Sequence, residues 1–284
     1  MTRFSSTILR ILAIGVLAAT VMGTASGQTA KRSKKKLLIG LQLYSVRDDC
    51  AKDFPGTIKA VAKMGFTGVE FAGYYGKSAK ELKQMLDENG LKCYGTHIGL
   101  DTLMGDNLAK TVEFNQILGN KMLIVPWIPE ERRNTKAKTI ETAKLFSDIA
   151  AKLKPYGMFV GYHNHMEEFK PVDGEMPFDT FFSNTDRSVA IQFDTGNAME
   201  AGAQAAPFIK RYPGRVLSVH VKDHSATNPK ALLGEGDVHW NEVLPLILGP
   251  AGTRYFIIEQ ESYPTTPLEA VERCLRSFEK MLAQ

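Results

Sequence analysis

Cysteine is scarce in this 284-residue chain: Cys50, Cys93 and Cys274 are the only three. They can close one bridge at most, and their spacing fits no zinc motif, so a disulfide framework and a cysteine metal site are both excluded. A Gly-rich dinucleotide turn is missing too, because GLQLYSVRDD after the first apolar run has no G-x-G-x-x-G. Long apolar runs are also lacking. The longest, over residues 11–22, falls short of the roughly 20 residues of a membrane span. Basic charge is sparse outside the N-terminus. Seven of the 35 basic residues lie within positions 1–36, which leaves 28 against 31 acidic ones in the rest. A slightly acidic body gives no electrostatic case for nucleic acid.

Arg3 and Arg10, the apolar run and Ala25-Ser26-Gly27 make the pattern of a cleaved export leader over residues 1–27. Export to the periplasm or medium is expected, with no stable membrane insertion. Residues 28–36, which contain KRSKKK, read as a basic disordered tether. Residues 37–284 then suit one large domain.

That stretch alternates apolar runs with helical patterns to its end. LLIGLQLYSV, TGVEFAG, CYGTHIG, KMLIVPW, MFVGYHNH, SVAIQFDTGN, VLSVHVKDH and YFIIEQES read as eight strands. Between them stand helical patterns, among them one opened by a Ser78/Glu81 capping box and one from Pro267 to Leu282. Eight strand–helix units predict an α/β fold, a single-domain (β/α)8 TIM barrel.

In such a barrel, chemistry gathers at the C-terminal ends of the strands. Five of the six histidines (His97, His163, His165, His220, His224) fall at those ends, with Glu70, Asp194, Glu259 and Glu261. Carboxylates and imidazoles converging on one mouth need a cation between them, so one divalent metal ion is expected: Mn, Co, Zn, Fe or Mg. Side-chain alternation puts His163 and His165 on one face, with Asn164 turned away. It also pairs His220 with Lys222, and Glu259 with Glu261. Lys222 is either an acid, base or oxyanion partner, or a salt-bridge partner of Asp223 or Glu235.

GYHNHMEEF, QFDTGN, SVHVKDH, LGEGDV and IIEQES, with GLQLYSVRDD and GVEFAGYYG, resemble the xylose-isomerase-like barrels. These include sugar (phosphate) isomerases and epimerases, and the H-x-H pair resembles the inosose dehydratases most. The resemblance implies metal ligands Asp194, His220 and Glu259, with a fourth from strand five. The family's strand-five glutamate is replaced here by His163-Asn164-His165, so either Glu168 reaches back or His163 takes its place, and Glu168 is the expectation.

His163, His165, Lys222, Glu259 and Glu261 are then the catalytic candidates, and Glu70, His97, Asn197 and Trp127 the substrate-binding ones. Helix capping is the structural alternative for Asn197, packing on Tyr44 for Trp127, and a buried hydrogen-bond network for Glu70 and His97. The expected activity is a metal-dependent sugar isomerase or epimerase working through an enediolate on a non-phosphorylated sugar. Its alternative is a β-eliminating lyase or dehydratase on a keto-inositol or 3-keto-glycoside. A non-catalytic carbohydrate-binding barrel and an AP endonuclease are weaker rivals. The expected partner is a small carbohydrate, with a homo-oligomer as a further option.

Overall fold

The computed structural model describes residues 37–284 of the chain. The leader at 1–27 and the tether at 28–36 lie outside the described residues. Eight parallel strands close into a barrel in sequence order. They are β1 (Leu38–Gln42), β2 (Gly68–Ala72), β3 (Lys92–His97), β4 (Met122–Val125), β5 (Phe159–His163), β6 (Ala190–Asp194), β7 (Ser218–Val221) and β8 (Tyr255–Ile258). Closure joins β1 to β8 through Leu38 opposite Tyr255 and Leu41 opposite Ile258. No edge is left unpaired.

Local signals explain the helices between them. Phe54–Met64 starts on Asp53, whose carboxylate accepts from the Gly56 N–H, and stops at Gly65 with φ of 101°. Only glycine takes that left-handed turn at no steric cost. Ala79–Glu88 opens on the expected capping box, with Ser78 and Glu81 each accepting from the other's backbone. The first apolar run is shorter as a strand than the pattern suggested, because Leu43–Val46 turns into a 3-10 helix. No helix among the described residues is long and apolar enough to cross a membrane.

Helices and sheet meet over a shell that includes Phe71, Phe146, Phe178, Phe182, Phe193, Phe256 and Phe278, all fully buried. Each such side chain contributes about 2–3 kcal/mol of hydrophobic stabilisation. Inside the barrel the strands fill one end with bulk and the other with polarity. At the N-terminal end the Tyr94 ring lies so close to Gly68 that a Cβ there would meet it at 2.4 Å. Met122, Ile124 and Ala190 form a small apolar cluster of their own. Further along the same inward rows come Gln42, Glu70, Gln192, Asp194, His163 and His220, all buried.

Candidate active site

Glu70 lies at the centre of this polar layer, 1% exposed. β2 shifts register against β3 between Val69 and Glu70. Gly95 makes the room, since a Cβ there would lie 2.4 Å from Glu70 Oε2. Gln42 Nε2 (2.9 Å), His220 Nε2 (2.6 Å) and His97 Nε2 (3.1 Å) approach Glu70 Oε1, and Gln192 Nε2 donates to Oε2 at 2.7 Å. Burial opposes its charge, but His97 and His220 outweigh burial and hold the carboxyl well below its ordinary range. Glu70 was expected to bind sugar. With its oxygens occupied and its surface buried, it fits the other reading, a buried network in which it anchors two imidazoles.

One ligand atom from each of His163, Asp194, His220 and Glu259 lies within 4.8 Å of the other three. His97, His163 and His220 form a second such group. His163 Nδ1 meets Gln192 Oε1 at 3.1 Å, which fixes Nδ1 as the protonated nitrogen and makes Nε2 the lone-pair nitrogen, met by Asn197 Nδ2 at 3.4 Å. Burial, with His220, His165 and His97 beside it, holds His163 well below the ordinary imidazole value, so it is neutral. His220 gives Nε2–H to Glu70 and turns Nδ1 to Glu259 Oε2 at 3.1 Å and Asp194 Oδ2 at 3.5 Å. Burial works against a charged His220, but Glu259 and Glu70 outweigh it and raise its pKa. Burial likewise opposes the Glu259 charge, and Lys222 and His220 outweigh it, so that group is held low.

Asp194 has two oxygens with different duties. Oδ1 accepts the Asn197 N–H at 2.6 Å and caps the short helix Thr195–Glu200. Oδ2 is buried without any hydrogen-bond partner. An unpartnered buried carboxylate oxygen beside two imidazoles and a second carboxylate fits a divalent cation, whose charge satisfies all four donors.

The HNH stretch now has its explanation. Asn164 turns away as alternation requires and pairs with the backbone of Asp194, Nδ2 to O at 3.0 Å and Oδ1 from N at 2.9 Å. It therefore ties the strand-five donor to the strand-six donor. His163 joins the donor group, and the His165 ring stands 4.8 Å from it.

Glu168, the expected fourth ligand, is elsewhere. Its Oε1 accepts from the Tyr162 hydroxyl at 2.5 Å and its Oε2 from the His165 N–H at 2.7 Å. Burial raises its pKa. Both oxygens are thus engaged, one by Tyr162 of β5 and one by the N-cap of the 3-10 turn Met166–Phe169, and of the two candidates His163 is the one in the donor group.

Lys222 does not pair with Asp223 or Glu235. Its ammonium donates to Asn197 Oδ1 at 2.9 Å and pairs with Glu261, and it stands 3.5 Å from Glu259 Oε2. Burial opposes its charge, but Asp194, Glu259 and Glu261 outweigh burial and keep it protonated. The Asn197 side chain is not a helix cap: besides holding Lys222 it gives Nδ2–H to Asn164 O at 3.1 Å. Trp127 is 49% exposed and meets the Arg133 guanidinium at 4.8 Å and the His165 ring at 5.7 Å, not Tyr44.

His224 lies beyond the donor group, on the loop after β7. Gln42 and Gln192 were missed as site residues. The alternation that placed Asp194 inward also places Gln192 inward, so that signal was present.

Above the donor group a cavity of about 400 Å³ is lined by Tyr44, His97, His163, His165, Glu259 and Glu261, among others. Such a volume suits a small ligand fixed by a few polar groups.

Comparison with known proteins agrees with the barrel fold. Residues 58–281 match the family model described as xylose isomerase-like TIM barrel. The inosose dehydratase of Salmonella typhimurium is 23% identical over 299 aligned positions, covering 88% of this chain and 97% of that protein. The rhizopine catabolism protein MocC of Rhizobium meliloti is 23% identical over 58% of this chain, which spans only 56% of that protein. Among solved structures, a sugar phosphate isomerase/epimerase from Parabacteroides distasonis superposes with a TM-score of 0.74. It is 24% identical and covers 88% of this chain and 96% of its own. An L-ribulose 3-epimerase superposes with a TM-score of 0.67 at 13% identity, covering 87% and 95% of the two chains. These superpositions speak for the fold.

Proposed function

Because the chain belongs to the xylose isomerase-like TIM barrel family, we propose that it is an enzyme that removes a proton next to a carbonyl of a carbohydrate and expels a β-oxygen. The observation that carries this reading is the buried four-donor group with the Lys222 ammonium 3.5 Å from Glu259. His163, Asp194, His220 and Glu259 would hold a divalent cation. When bound, the ion supplies Lewis acidity to a carbonyl and its neighbouring hydroxyl, which acidifies the C–H between them.

His165 is the base. Its ring lines the cavity beside His163, which brings an imidazole within reach of the substrate C–H. The electrons of that C–H bond pass through an enediolate and break the β C–O bond. Lys222, protonated and steadied by Asn197 and Glu261, gives its proton to the departing oxygen. An unsaturated ketone and a free alcohol or water result. His97 and Tyr44 line the walls and bind hydroxyls.

The substrate is non-phosphorylated. Among the described residues, Lys222 is the only lysine or arginine lining the mouth, already paired with acids, and Glu167, Glu200 and Glu261 share that lining. The export expected from residues 1–27 would favour the same choice, since it would take the protein away from cytosolic sugar phosphates.

Epimerisation or isomerisation shares the first step. One observation favours it: the His97 and His165 rings flank His163 at 5.0 and 4.8 Å, so two proton carriers line one cavity. Incubation of keto-sugars and keto-cyclitols with the metal-loaded protein in D₂O, followed by NMR, separates the two. Elimination predicts an alkene signal and a released alcohol or water. Deuterium uptake into intact sugar would instead establish the epimerase.

A further inference from the structure

The mouth of the barrel holds two cavities. Beside the 400 Å³ cavity over the donor group is one of about 660 Å³, and His165 and Glu261 line both. Lys222 and Asn197 line the larger one, together with Trp127, Glu167, Glu200 and the loop residues Ser225, Ala226 and Asn228. A one-ring substrate over the donor group leaves this larger space unused.

Its wall is built to stay in place. Asp223, 6% exposed, accepts from the backbone N–H groups of His224 (3.0 Å), Gly234 (2.8 Å) and Val238 (3.2 Å) and from Trp240 Nε1 (2.9 Å). Gly236 lies so close that a Cβ there would come 2.3 Å from Asp223 Oδ1. Gln260 Nε2 fastens the same loop at Ala231 O, 3.1 Å away. The stretch LGEGDVHW, which the donor group does not use, therefore backs the wall by holding Asp223 from behind. A preorganised polar wall with an exposed indole is the kind of surface that receives a sugar ring, the indole offering its face and the carboxylates and amides their hydrogen-bonding atoms.

Resting on the elimination reading, we propose that the larger cavity is a subsite for the leaving unit, so that the substrate is a two-unit keto-glycoside. The keto unit occupies the 400 Å³ cavity, and the departing unit lies in the 660 Å³ cavity with Trp127. Their linking oxygen falls between, where His165 and Glu261 line both cavities and Lys222 pairs with Glu261. The proton α to the ketone goes to His165, the C–O bond to the second unit breaks, and Lys222 protonates the departing oxygen. The products are an unsaturated keto-sugar and an intact second sugar.

The test compares methyl 3-keto-β-glucoside, whose leaving unit is methanol, with 3-ketocellobiose, whose leaving unit is glucose. The full-length metal-loaded protein is predicted to prefer 3-ketocellobiose in kcat/KM. Trp127→Ala and the space-filling Ala226→Trp should each cut the ratio of the two kcat/KM values by about tenfold or more, with melting curves confirming that both variants fold. A ratio near one in the parent, or one unmoved by both variants, overturns the subsite while leaving the elimination intact. Turnover of neither compound overturns the elimination reading, and the subsite falls with it. Binding offers a second readout, since Trp240 is buried against Asp223 and Trp127 is the exposed tryptophan. Cellobiose should change the fluorescence of the parent and not of Trp127→Phe, and an equal change in both would overturn the placement.

Discussion

The barrel's two halves repeat one strand–helix unit and yet contribute differently to the site. From β5 to β8 come all four donors: His163, Asp194, His220 and, just past the last strand, Glu259. From β1 to β4 come Gln42, Glu70 and His97, which hold the others. Glu70 fixes the His220 tautomer from across the barrel, in the way a carboxylate behind a metal-bound imidazole raises its basicity and sets its orientation. The division teaches that a buried charge in the first half serves the second half, and that a carboxylate's role depends on which of its oxygens are already engaged.

Removing a donor from the second half should have the largest effect. Asp194→Ala is predicted to lose the divalent ion and lower turnover by about a thousandfold or more, a barrier rise of about 4 kcal/mol. Plasma mass spectrometry with a progress curve checks both. Glu70→Gln, in the first half, is predicted to keep the ion at saturation and weaken its affinity by about 10- to 100-fold. Competition with a chelator of known affinity measures this, and an unchanged affinity would break the comparison.

A pH prediction sharpens it. In chelated protein the Glu70 pKa is depressed, so its contribution to stability is present above the unfolded value of 4.5 and lost as pH falls from there towards the folded value. The His220 pKa is raised, so its contribution is full below 6.5 and lost as pH rises through the folded value. Thermal melts of chelated protein should therefore peak between these two values, and Glu70→Gln should flatten the acid side. The smallest effect belongs to Glu168→Gln, which should leave turnover within about twofold and cost about 1–3 kcal/mol in denaturant melts, because one of its two buried donors loses an acceptor.

The sequence discloses the barrel because each apolar run is closed by its own local signal, such as Ser78/Glu81 or Gly65. It discloses the inward rows because alternation is a property of the strand alone. Asp194, His220 and Glu259 came from those rows together with the family motifs. Glu70 was read two ways, as a sugar contact or as part of a buried network, and the choice is not local. Its burial depends on Gln42, Gly95, Gln192 and His220, from four other strands, and no window of sequence brings those together. Glu168 differs, since its signal was local and passed unread: it stands three residues after His165, the spacing of a glutamate that folds back on the first N–H of a turn, and Tyr162 lies just upstream. The stretch 233–240 is held by Asp223, a tie that no window of sequence shows.

The central claim is that strand five gives its donor through His163 and not through Glu168. Metal content per chain of the parent, His163→Ala and Glu168→Gln proteins, each purified and reconstituted alike, tests it most directly. One divalent ion in the parent and in Glu168→Gln, with loss in His163→Ala, is the result predicted here. Retention in His163→Ala with loss in Glu168→Gln would contradict it.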